Sequence, residues 1–262
     1  YPLCGGDFVN LYTFFPDAKS YVMMSLEGQG KIPDPVKLTP GELSSGLRSI
    51  QRCINSIASV NYFVTRAMKA EMVNRYFDGT TPVLLVYAAR LGLSVSDVRQ
   101  IALANDGSVV EVDGAQPQNT GANSIKGTRI RFTTPTHPEQ RELIYLSLRF
   151  KPTSTDENRP EGLFLRRLGN FNLFIKSAIY LLHLREYRHA CEFFVSRGSL
   201  VIMDDSGIPY RYFTGNAWNS ILYGFYDRPV GLREITNPPR QDDLSKAYRE
   251  SNNPLPFKFG YG

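Results

Sequence analysis

Cys4-Gly5-Gly6-Asp7 runs into Phe8-Val9-Asn10-Leu11-Tyr12-Thr13-Phe14-Phe15, breaks at Pro16-Asp17-Ala18, and resumes as Tyr21-Val22-Met23-Met24-Ser25-Leu26, ending on Glu27 and Gly28. The pattern predicts a glycine turn, a short apolar helix over residues 8–15, and a strand that finishes on an acid. A turn, a helix and a strand in that order begin an α/β fold. Working outward, the rest of the chain predicts α/β architecture: one domain over 1–262 with a mixed central sheet and helices on both faces.

Thr39-Pro40-Gly41-Glu42 has the form of a helix start, with Thr39 as N-cap, Pro40 in the first position and Glu42 in the third. Leu47, Ile50, Ile54, Ile57, Val64 and Met68 then recur every three or four residues, predicting one long amphipathic helix bent near 59–62. Asp78-Gly79-Thr80-Thr81-Pro82 ends it. Val83-Leu84-Leu85-Val86-Tyr87 fits a buried strand or a helix, and periodicity leaves both open. Val98 to Leu103 predicts a strand, Asn105-Asp106-Gly107 a turn, and 113–124 an exposed loop. Thr128 to Phe132 sets Arg129 and Arg131 against Ile130 and Phe132, the alternation of a half-buried strand, with Glu142 to Phe150 as its antiparallel neighbour. Residues 151–162 form a polar loop or hinge. Phe171, Phe174, Ile175, Ala178, Leu181 and Leu182 predict a helix, with another near Tyr187 to Ser196. Leu200 to Met203 predicts a strand, Asp204-Asp205-Ser206-Gly207 a turn, and Tyr210 to Phe213 the return from it. Residues 214–262 read as a C-terminal wrap.

Composition narrows the function. The chain has 262 residues, 42% of them hydrophobic, and a net charge of +5. Its Lys and Arg residues are dispersed among acids, as at Arg48, Arg52, Arg66, Lys69 and Arg75, which argues against a nucleic-acid stripe. No apolar run approaches the roughly 20 residues of a membrane span. Cys4, Cys53 and Cys191 cannot all pair with one another, and none lies in a metal-ligating spacing. The opening on Tyr-Pro-Leu-Cys, without Met, suggests a processed or trimmed chain.

Two groups of residues carry candidate chemistry. Gly5 and Gly6 can bring main chain close to a phosphate or ribose, with Asp7 and Glu27 accepting from ligand hydroxyls. The alternative is that the glycines shape a turn and Asp7 caps the helix. Asp204 and Asp205 follow a buried strand, where they are candidate general acid–base or catalytic carboxylates; the alternative is a hairpin turn with Gly207 at positive φ. His183 and His189 lack the spacing of a zinc pair. Ser206 lacks a nucleophile elbow. Tyr210, Tyr212, Phe213, Trp218, Tyr223, Phe225 and Tyr226 form an aromatic band beside the Asp204 turn, fit either to stack a ligand or to pack.

The glycine turn, Phe15-Pro16-Asp17-Ala18 and Glu27 resemble the start of Rossmann-like folds, including class I methyltransferases, over about 30 residues. That resemblance implies nucleotide or S-adenosylmethionine binding, although Cys4-Gly5-Gly6 stands where those folds have G-x-G. Gly6-Asp7-Phe8 with Phe14-Phe15-Pro16, Tyr21-Val22 with Leu26-Glu27, and Asp204-Asp205-Ser206-Gly207-Ile208-Pro209 together resemble a group of uncharacterised bacterial proteins. That resemblance implies a bacterial origin and an exported location. The expected function is binding or hydrolysis of a small polar ligand in one carboxylate-lined pocket formed by Asp7, Glu27 and Asp204 or Asp205, with Gly5, Gly6, Asp7 and Glu27 as ligand contacts and Asp204 and Asp205 as catalytic acids. The sequence designates no metal ligands and no cofactor. The alternatives are a non-catalytic binding or structural protein of the bacterial envelope, or a degenerate methyltransferase-like domain.

Overall fold

The computed structural model describes residues 1–60, 77–112, 124–215, 217–226 and 237–251, with the backbone alone for 56–60. The chain divides into two compact units. The first comprises Tyr1–Phe150 and Asp156–Arg167, and the second Lys151–Thr155 and Leu168–Gly262. The loop expected as a hinge is therefore shared between them.

The first unit is built on a mixed five-stranded sheet. Among the described residues its helices are α1 (Phe8–Phe14), α2 (Pro40–Val60), α3 (Thr81–Arg90) and α4 (Pro160–Arg167). Its strands are β1 (Ser20–Ser25), β2 (Ser94–Leu103), β3 (Val109–Glu111), β4 (Lys126–Thr133) and β5 (Arg141–Ser147), in the order β1-β5-β4-β2-β3. The β1–β5 pair is parallel, and the other three pairs are antiparallel. Ile130 pairs with Val98 on one side and Leu143 on the other. Thr128, Ile130 and Phe132 are buried while Arg129 and Arg131 are not, so the alternation of β4 settles its register. Phe8, Tyr21 and Phe132 pack edge to face or tilted, with ring centroids 5.5–6.2 Å apart. Tyr21 Oη donates to Phe15 O at 2.6 Å, tying the break after α1 to β1.

Local chemistry explains the helix starts. Asp7 caps α1, with Oδ1 accepting from Asn10 N at 3.3 Å. Thr39 and Glu42 form the reciprocal capping box that their spacing predicts: Thr39 N donates to Glu42 Oε2 at 2.9 Å, and Glu42 N to Thr39 Oγ1 at 3.3 Å. Along α2 the buried stripe is Gly46, Ser49, Ile50 and Cys53, whereas Leu47 is exposed. The face is rotated by one position because the ring of Phe77 lies against Gly46. The expected bend near 59–62, Val64, Met68, the side chain of Ile57 and the 113–123 part of the expected loop lie outside the described residues. The Val83 run is helical, since Pro82 at the start of α3 favours a first turn.

In the second unit β6 (Phe171–Ile175) pairs in parallel with β7 (Gly198–Met203), with α5 (Arg188–Arg197) leading into β7. A further helix, α6 (Asp242–Glu250), follows. The helix expected over Phe171–Leu182 is thus a strand, a left-handed loop and a one-turn 3₁₀ helix at Leu181–His183. Its apolar residues happen to be spaced as on a helix, and pairing with β7 decides instead. The return expected at Tyr210–Phe213 is a 3₁₀ turn over Tyr210–Tyr212 rather than a strand. Gln241 Oε1 accepts from Tyr210 N at 2.7 Å and takes the place of a ladder partner.

Candidate functional site

The residues singled out in the sequence form two clusters, one in each unit. In the first unit Gly5 and Gly6 have φ of +56° and +97°, a backbone that glycine adopts without the penalty a Cβ would bring. The turn carries Gly5 N to Ser25 Oγ at 3.0 Å, and Ser25 Oγ in turn donates to Glu27 Oε2. Tyr145 Oη donates to Glu27 O at 2.8 Å, and Thr80 Oγ1 lies 3.1 Å from both Tyr145 Oη and Gly28 O. Gly5 and Glu27 are therefore brought together through Ser25, with Gly6 and Asp7 continuing the same turn into α1. Asp7 and Glu27 are buried. Burial pushes the thiol of neighbouring Cys4 up to about 12, and Sγ donates to Met24 O at 3.4 Å. Chemically the cluster is closed: the Gly5 amide that could meet a phosphate is bonded to Ser25. Asp7 holds Asn10 through both oxygens, with Asn10 Nδ2 at 2.8 Å from Oδ2.

The second cluster lies at the carboxyl ends of β6 and β7, the edge of a parallel pair where α/β proteins place ligands. After β7, Asp204 Oδ1 accepts from Ser206 N at 2.9 Å and from Ser206 Oγ at 2.6 Å. Its other oxygen, Oδ2, accepts from Ser177 N at 2.7 Å, in the loop that follows β6. Ala178 N donates to Ser206 Oγ at 2.8 Å, and Tyr180 Oη to Asp205 Oδ2 at 2.7 Å. Gln241 Nε2 secures the turn from the other side through Asp205 O at 2.9 Å. The two carboxylates thus hold different points of one loop, as neighbours on an extended chain should.

The electrostatics follow from burial. Asp204 is pushed up to about 6, chiefly by burial and against its hydrogen bonds from Ser206 and Ser177. Asp205 is raised for the same first reason, with Tyr180 opposing. His183 is lowered to about 4 by burial and by the Arg211 charge, against hydrogen bonds of the ring to the backbone of Asp205 and Gly207, so its imidazole is neutral near pH 7. Ser177 Oγ is a buried polar atom without a hydrogen-bond partner. The Tyr180 and His183 rings meet edge to face at 5.2 Å.

Sequence reasoning placed Asp204 and Asp205 at this edge but missed Ser177, Tyr180 and Gln241. No residue type announces a left-handed serine or tyrosine, and Gln241 is remote in sequence. In the aromatic band Phe213 and Trp218 pack edge to face at 5.2 Å, while Tyr223 and Phe225 are exposed. Among the described residues no cluster of three or more His, Cys, Asp or Glu could hold a metal ion, and no helix is long and apolar enough to cross a membrane. Comparison with protein-family models, curated proteins and solved structures gave no match.

Proposed function

We propose that the chain binds a small polar molecule at the carboxyl edge of β6 and β7, with Ser177, His183 and Asp205 as its contacts. The carrying observation is the buried Ser177 Oγ, without a hydrogen-bond partner beside the Asp204–Ser206 turn, with the buried imidazole of His183 against the same turn. Buried polar groups are nearly always satisfied, and a hydrogen-bonding ligand at this edge would satisfy the Ser177 hydroxyl. Asp204 and Ser206 shape the loop, since both oxygens of Asp204 are taken by Ser177 and Ser206. Hydrolytic chemistry, if the edge performs any, belongs to Asp205.

A thermal-shift screen with monosaccharides, nucleosides, S-adenosylmethionine and divalent metal salts tests this reading. The expected result is stabilisation by an uncharged polar compound that is lost in Ser177→Ala and His183→Phe. Equal stabilisation of the wild type and both variants, or stabilisation by none of the panel, counts against it.

A second reading is a non-catalytic structural or binding protein of the bacterial envelope, exported as the sequence resemblance implies. It is favoured by Asp7 and Asp204, whose oxygens cap a helix and clasp a loop within their own units. The methyltransferase-like reading needs Gly5, Gly6 and Glu27 to converge; they do so around Ser25, which takes the Gly5 amide.

A further inference from the structure

Ser177, Ile179 and Tyr180 have φ of +53°, +50° and +57°. Three left-handed residues within four, none of them glycine and one β-branched, are a strained backbone. Such a backbone persists only where the surroundings hold it. Here the holders are the bonds from Ser177 N to Asp204, Ala178 N to Ser206 and Tyr180 Oη to Asp205. We propose that Ser177–Tyr180 is a strained strap, clamped by the Asp204–Ser206 turn, that opens together with the Leu181–His183 turn continuing it while the rest of the chain stays folded. The strap is the gate to the edge of β6 and β7, and its mechanics hold whichever molecule binds there.

Cys191 reports the opening. Its Sγ donates to Leu182 O at 3.3 Å, in the 3₁₀ turn that continues the strap, and the residue is fully buried. Burial pushes its thiol up to about 12, so the closed state is inert. Cys4 and Cys53, buried in the first unit, serve as internal references.

The test is maleimide labelling of the full chain under native conditions, read cysteine by cysteine from peptide masses. Cys191 should react faster than Cys4 and Cys53. Tyr180→Phe removes one clamp and should speed Cys191 about fivefold, the effect of one hydrogen bond, with the other two unchanged. Ile179→Gly relieves the strain at a side chain that is 41% exposed, so little packing is lost, and should slow Cys191. One common rate for the three cysteines in the wild type overturns the strap. So does a Tyr180→Phe effect that is absent or shared by all three, and so does a labelling rate in Ile179→Gly that equals or exceeds that of the wild type.

Discussion

Asp204 and His183 sit on the same loop system and are displaced in opposite directions. Asp204 in the folded chain titrates at about 6 against 3.8 ordinarily, so folding favours its protonated form. Its contribution to stability is fully present below about pH 4 and is lost as pH rises through about 6. A displacement of that size is worth on the order of 2–3 kcal/mol. His183 is lowered to about 4 from 6.5, so its contribution is present above pH 6.5 and is lost as pH falls through 4. The two slopes oppose each other across the same window. Urea unfolding between pH 4 and 6.5 should show the imbalance once either is removed. Relative to wild type, His183→Phe should lose stability as pH rises, and Asp204→Asn should gain it.

Where short-range chemistry and packing agree, the elements were legible. The Thr39–Glu42 capping box is read directly from four residues, and Thr39→Ala should lower stability by about 1 kcal/mol in chemical denaturation. The alternation from Thr128 to Phe132 showed both its strand and its buried face. Phe171–Ile175 was misread because Phe171, Phe174, Ile175 and Ala178 fall at helical spacing. Only its ladder with β7 makes it a strand. The strap was hidden for a different reason: its left-handed residues are Ser, Ile and Tyr, whereas sequence rules look for glycine. Glycine itself is informative where two chains cross. A Cβ on Gly30, at φ +71°, would lie 1.6 Å from Asp78 O, whereas one on Gly92, also at +71°, would meet nothing within 4 Å. Gly30→Ala should therefore cost clearly more than the roughly 1 kcal/mol expected of Gly92→Ala, as measured by denaturant midpoints.

For the whole molecule, the α/β class and mixed sheet were readable, but the grouping of the acids was not. Gly5, Gly6, Asp7 and Glu27 belong to the first compact unit, and Asp204 and Asp205 to the second. Each set is bonded to partners of its own unit, Ser25 and Asn10 in one, Ser177, Ser206 and Tyr180 in the other. Sequence distance says nothing about such grouping, because it depends on which strands pair. The buried acids of the first unit read as architecture, and those of the second as the frame of the edge proposed to bind a ligand.

Hydrogen–deuterium exchange tests that assignment most directly, comparing the free protein with the protein saturated by the panel compound that raises its melting temperature most. Protection confined to residues 176–184 and 203–208, with 4–7 and 25–28 unchanged, is the expected result. Protection at the Gly5–Gly6 turn and Glu27, with the Asp204 edge unaffected, would contradict it.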